Sequence, residues 1–169
     1  EASSASQGYV SQQEIALRPL LRTGEVLEMV PGMVVTQHSG TGKANQYFLR
    51  GFNLDHGTDF ATFVDGMPVN MRTHGHGQGY TDLNFIIPEA IESIAYQKGS
   101  YYADVGDFSG AGSASLNTAS QLDHGLLQLT AGQDNYYRAL AMDSVQAAGG
   151  DWLYAVERNT YDGPWRDID

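Results

Sequence analysis

Gln46 to Val69, Gln-Tyr-Phe-Leu-Arg-Gly-Phe-Asn-Leu-Asp-His-Gly-Thr-Asp-Phe-Ala-Thr-Phe-Val-Asp-Gly-Met-Pro-Val, holds two strand-like runs punctuated by turn chemistry. Tyr47 to Phe52 is an apolar and aromatic run with Arg50 inside it, and Ala61 to Val64 is a second strand-like run. Asp65-Gly66 follows at once, a dipeptide that accepts the positive φ angles of a tight hairpin. Met67 to Asn70 is the expected returning strand. Pro68 has no N–H to donate, which places that strand at a sheet edge.

A hairpin turned at Asp65-Gly66 brings its open ends together, so the loop Asn53 to Asp59 is expected beside the loop Met71 to Tyr80. These loops carry His56, Arg72, His74, His76, Gln78 and Tyr80, and a further loop carries His38. Such a patch offers donors, a cation and an aromatic face, which suits a polar chelate or an anionic cargo. Histidines donating in their charged form would lose affinity as pH rises through about 6 to 7, whereas metal-ligating histidines would lose it as pH drops. His74-Gly75-His76 is a poor metal signature on so flexible a loop: His74 and His76 are the weak candidates for a metal, and no metal site or cofactor is assigned.

Three segments carry a family resemblance. Leu49-Arg50-Gly51-Phe52, Val64-Asp65-Gly66-Met67-Pro68-Val69 and Tyr96-Gln97-Lys98-Gly99 resemble, in order and spacing, motifs of the plug domain of TonB-dependent outer-membrane receptors. The likeness runs roughly from Gly24 to the end; Ser100 and Ala119 stand where typical members have proline and lysine. It implies a receptor in the bacterial outer membrane that imports a scarce nutrient, such as a siderophore or other metal chelate or cobalamin. The loops with the histidines would face outward and touch the cargo. It also implies that Arg50 and Lys98 pair with barrel glutamates that hold the plug in place. The partner it implies is the TonB energy-transducing protein, although the segment that would reach it is not evident near Glu1 to Gly8.

Composition bears on the rivals. Acidic residues outnumber basic ones, 20 to 9, for a net charge of -11, and no basic stripe is interleaved with aromatics, so nucleic acid is not an expected partner. With no cysteine there is no disulfide, thiolate metal site or cysteine nucleophile. No apolar run approaches the ~20 residues of a spanning helix, and the start lacks the pattern of a signal peptide.

The soluble alternative is a binding or enzyme module on the same sheet, but its motifs are incomplete. Gly42-Lys43 lacks the phosphate-loop glycine at Gln37 and the hydroxyl at Ala44. Gly106-Asp107-Phe108-Ser109-Gly110 has Asp107 where a nucleophile elbow needs glycine. Asp55 and Asp59 are loop carboxylates of the kind that form turns. The chain is expected not to be an enzyme.

In chain order, Glu1 to Gly8 reads as a mobile end and Ile15-Ala16-Leu17 as a short strand. A helix Gly24 to Met29 capped by Thr23, a strand Met33 to Thr36 and a helix Pro88 to Ser93 leading into a strand Ile94 to Gln97 follow. Ser113 to Thr118 alternates as a half-buried strand does. Beyond Leu122 come Gly125 to Thr130, Tyr137 to Val145 and Trp152 to Asn159, whose alternation fits a membrane barrel with one face to lipid. Three strands cannot close a barrel, which in plugged transporters has about 22. The expected fold is therefore α+β: a plug domain of a small mixed β-sheet and short helices over 1–122, then over 123–169 the first antiparallel strands of a membrane β-barrel incomplete in this chain.

Overall fold

The computed structural model describes residues 4–37 and 42–163; His38 lies outside them. They fall into two compact units, Glu1–Thr118 and Ala119–Asp169.

The first unit is built on a five-stranded mixed sheet. Its members are β1 (Gln7–Ser11), β5 (Phe60–Val64), β6 (Met67–Pro68), β7 (Ile91–Lys98) and β8 (Gly112–Thr118), in the order β1-β7-β8-β5-β6. β5 and β8 run parallel and the other neighbours antiparallel. A second small sheet joins β2 (Met33–Thr36), β3 (Gln46–Leu49) and β4 (Phe52–Asn53). Phe60, Ile94, Ala114 and Leu116 from the mixed sheet pack with Val26, Leu27, Val30, Tyr47, Leu54 and Leu83 in one buried cluster. The hydrophobic effect on this cluster is what closes the unit.

The hairpin forms as its turn residues dictate. Asp65 and Gly66 have φ of 49° and 78°, the mirror-image turn whose twist matches the strands. Pro68 lies on β6, at the sheet edge, where a missing N–H leaves no ladder bond broken.

Several local expectations are corrected. The start is not all mobile: Gln7–Ser11 pairs antiparallel with β7, and Val10 is buried. Five residues with one apolar anchor show no period, and the order comes from the partner strand. Ile15-Ala16-Leu17 is not a strand, because helix α1 (Gln12–Ala16) starts there on a capping box, with the Ser11 hydroxyl and N–H paired to Glu14. The Thr23-capped helix is a 3-10 helix, Thr23–Met29, whose N-cap is Arg22; Glu25 accepts from the Arg22 backbone N–H at 3.3 Å and from its Nε at 2.7 Å. Tyr47 to Phe52 is two strands rather than one. Arg50 (φ 52°) and Gly51 (φ 79°) turn the chain between β3 and β4, so Arg50 sits exposed at a hairpin tip and not inside an apolar strand. Pro88 does open a helix, but it ends as a 3-10 turn at Ala90, and β7 begins at Ile91 because Ile91 and Ile94 are fully buried.

The second unit is an antiparallel meander, β9 (Leu126–Ala131), β10 (Tyr137–Ala147) and β11 (Gly150–Thr160), in the order β11-β10-β9. The register sets Ala139 beside Leu129, Ala141 beside Leu127 and Val156, and Val145 beside Trp152. One face is therefore apolar and open: Leu127 and Leu129 are each 76% exposed and Val156 70%, with Trp152 and Tyr154 beside them. The other face carries buried Leu140 and Met142 and the Arg138–Glu157 pair, Nε to Oε2 at 3.0 Å.

Candidate functional site

The chemistry-bearing loops lie at the open end of the β5–β6 hairpin and are held there mainly by backbone. Met71 and Tyr80 form an isolated antiparallel bridge, and the Gly79 N–H donates to the Met71 carbonyl at 2.7 Å. The Thr81 N–H donates to the His56 carbonyl at 2.8 Å, and the Thr58 hydroxyl to the Gln78 carbonyl at 2.8 Å. Loops 53–59 and 71–80 are thus laced together, as the hairpin geometry requires.

Asn70 is the node beneath them. Its Oδ1 accepts the Thr62 N–H at 2.7 Å, and its Nδ2 donates to the carbonyls of Gly57 and Phe60 at 3.0 Å each and of Gly79 at 3.2 Å. Buried backbone groups at a loop root need such a partner, since leaving them unmade is costly. No sequence period points to Asn70.

His56 is 2% exposed. Its Nδ1 lies 3.0 Å from both the Ala44 and the Asn45 carbonyl oxygens, so this nitrogen carries the proton. The outer nitrogen, Nε2, is 2.9 Å from His76 Nε2 and 3.7 Å from Asp55 Oδ1. Tyr80 is also buried, its hydroxyl accepting the Ala44 N–H at 2.7 Å. His74 stacks on the Tyr80 ring with centroids 3.9 Å apart and planes 13° apart, while its Nδ1 accepts the His76 N–H at 3.2 Å. Beneath this, the Tyr47 hydroxyl donates to the Thr81 carbonyl at 3.1 Å; burial first, then the Asp82 and Tyr80 charges, pushes its phenol upward from the ordinary value.

A third loop joins from between β7 and β8. Arg72 Nη1 is 3.1 Å from Asp107 Oδ2, with both side chains well exposed, so the pair orients more than it stabilises. Gly79, at φ 77°, has no room for a side chain: a Cβ there would lie 2.8 Å from the Phe108 ring and 2.9 Å from Thr58 Cα. Phe108 itself has φ of 62°. The residues Asp107 and Phe108, rejected as part of a nucleophile elbow, thus serve the loop cluster.

The structure therefore brings His56, His74, His76 and Tyr80 into one ring cluster, with His56 and Tyr80 as a buried floor and His74 and His76 exposed on it. Arg72 and Gln78 are exposed on the same 71–80 loop, Arg72 turned to Asp107. His74 and His76 diverge, one onto Tyr80 and the other onto His56. Among the described residues no group of three His, Cys, Asp or Glu side chains forms a ready metal cage.

Arg50 and Lys98 lie near each other. Lys98 is 8% exposed at the end of β7, its Nζ 5.5 Å from the Tyr96 ring centroid. Burial, then the Arg50 charge, pulls the Lys98 ammonium below the ordinary lysine value. Among the described residues neither cation forms an ion pair with a carboxylate.

A small mixed sheet crowned by three laced loops and followed by an antiparallel meander with one open apolar face defines a plug and the strands that succeed it. Residues 1–113 match the TonB-dependent receptor plug domain model, and the chain belongs to that family, which is one of receptors and not of enzymes. It is 32% identical over 132 residues to the vitamin B12 transporter BtuB of Vibrio vulnificus, covering 77% of this chain and 20% of that protein. Among solved structures, the copper transporter OprC superposes with a TM-score of 0.69 at 18% identity, covering 96% of this chain and 25% of that one. The siderophore receptor PirA from Acinetobacter baumannii gives 0.65 at 20%, covering 92% and 24%. These likenesses carry the α+β plug and the antiparallel strands after it. The chain spans about a fifth to a quarter of the length of these relatives.

Proposed function

We propose that this chain is the N-terminal part of a bacterial outer-membrane receptor that imports a scarce nutrient with energy from a TonB partner. Residues 1–122 gate the barrel as its plug, and 123–169 open the barrel wall. The observation that carries this reading is the open apolar face of β9 to β11 directly after a plug sheet, since a row of Leu127, Leu129, Trp152, Tyr154 and Val156 suits lipid rather than water. Relatives named for vitamin B12, copper and siderophores support a scarce nutrient as cargo.

The cargo meets the plug at the exposed Arg72, His74, His76 and Gln78 and at the floor of His56 and Tyr80. Arg50 and Lys98, two neighbouring cations that form no carboxylate pair among the described residues, await acidic partners on the barrel wall and lock the plug. Uptake of labelled iron chelates, cobalamin and copper by cells carrying the complete receptor tests the reading. Uptake should require both the TonB partner and the proton gradient. Entry that persists without either would sink it.

A further inference from the structure

We infer that His56 and His76 are a two-imidazole site for a first-row divalent ion, of which copper(II) is the probe used below. It deepens the proposed cargo role and rests on it only for what the ion is for; the binding itself follows from the geometry of the two rings.

The floor histidine is oriented as a ligand is. Two backbone carbonyls, those of Ala44 and Asn45, face its Nδ1 at 3.0 Å each, so the proton sits on that nitrogen and the neutral ring turns the Nε2 lone pair toward His76. An imidazole whose N–H is held by a backbone carbonyl has its tautomer and direction fixed before any ion arrives, and its remaining nitrogen becomes the more basic for it. At 2% exposure His56 cannot swing away, so it supplies the rigid half of the site.

His76 supplies the adjustable half. It is exposed, on a loop with glycines at Gly75 and Gly77, and its Nε2 stands 2.9 Å from His56 Nε2. At 2.9 Å both nitrogens come within reach of one ion, each at the usual ~2.0–2.1 Å, once the His76 ring turns on its glycine-flanked loop. Without an ion the same gap is bridged by the His76 Nε2–H donating to His56.

Asp55 Oδ1 is 3.7 Å from His56 Nε2 on a side chain that is 58% exposed, and among the described residues no third His, Cys, Asp or Glu completes a cage around the pair. His74 is excluded by its stack on Tyr80 and by the His76 N–H at its Nδ1. One fixed and one adjustable nitrogen with an incomplete shell suit an ion that arrives with ligands of its own and must later leave.

The test is a copper(II) titration of the full-length protein in detergent, read by electron paramagnetic resonance for the number of coordinated nitrogens. The unmodified protein should take up copper with the superhyperfine pattern of two imidazoles. His76→Ala should remove one nitrogen and weaken binding by about tenfold or more, while His74→Ala should change neither. His56→Gln, with melting temperature checked, should abolish the pattern; if that variant fails to fold, His76→Ala decides alone. Copper binding that survives His76→Ala unchanged, that falls equally with His74→Ala, or that is absent at stoichiometric copper overturns the inference. None of these outcomes involves transport, so failure here leaves the import reading standing, and loss of TonB-dependent uptake with copper still bound would sink only the latter.

Discussion

The Asp65 carboxylate accepts the Thr118 backbone N–H at 2.8 Å and the Thr118 hydroxyl at 2.7 Å, tying the hairpin turn to the far end of β8. One residue thus does two jobs: it tolerates a φ of 49° and it closes the sheet across the parallel β5–β8 pair. Asp65→Ala should destabilise the plug by about 1–2 kcal/mol, through lost hydrogen bonds and left-handed strain together. Asp65→Asn should cost less, because asparagine keeps the turn and one acceptor. Equal losses for the two in denaturant unfolding would show that only the charge matters.

Asn70 should be the more sensitive position. Asn70→Ala leaves the carbonyls of Gly57, Phe60 and Gly79 and the Thr62 N–H without this partner in a buried place, at a cost of about 2–4 kcal/mol. Asn70→Asp, nearly the same shape, should be no better, since a carboxylate cannot donate to carbonyls. Hydrogen exchange at Thr58 and Thr81 should quicken in both variants. Wild-type protection there in Asn70→Asp would remove Asn70 as the node of the loops.

The sequence made the hairpin legible because Asp65-Gly66 and Pro68 each have few alternatives: one needs positive φ, the other lacks a donor. The juxtaposition of His56 with the 71–80 loop followed from that turn alone. Arg50-Gly51 obeys the same turn rule, yet apolar Tyr47, Phe48, Leu49 and Phe52 around it read as one continuous strand. The Ser11–Glu14 spacing was a capping box in plain view, masked by the β-branched Ile15. Which histidine meets which could not be read, because the answer depends on the carbonyls of Ala44 and Asn45, which fix the His56 ring from another part of the chain. Asn70, Asp107 and Phe108 left no periodic or motif signal, since their roles are contacts between loops.

Glu14 gives a pH dependence whose sign is determined. The Ser11 backbone N–H first, and then its hydroxyl, holds the Glu14 carboxyl below the ordinary glutamate value. A carboxyl with a depressed folded value contributes stability that is present above the unfolded value of about 4.3 and is lost as pH falls through the folded one. Protection of α1 amides against exchange should therefore decline on acidification below about pH 4, and Glu14→Ala should lower it at neutral pH to the acid level of the unmodified chain. Glu14→Gln should keep much of the cap and lose the pH dependence. A Glu14→Ala variant with the unmodified acid profile would place the transition elsewhere.

Lys98 behaves in the opposite sense. Its ammonium is held below the ordinary value by burial and by Arg50, so folding disfavours the charged form. For a cation the penalty is present at every pH below the folded value and is relieved as pH rises through it toward the unfolded value of about 10.4. Replacing Lys98 by Met keeps the length of the stem and removes the charge, so the isolated chain should melt a few degrees higher at neutral pH and lose its alkaline gain in stability. In the complete receptor the proposed barrel carboxylates would face Lys98 and Arg50, and the sign should reverse: Lys98→Met or Arg50→Leu would leave a buried carboxylate without its partner and loosen the plug, at about 3 kcal/mol or more. Passive leak of small solutes should then rise. The two measurements separate the roles, because stabilisation of the isolated chain with destabilisation of the receptor means a lock. Stabilisation in both would mean that Lys98 is a strained cation with no partner on the wall, and the locking role would fall.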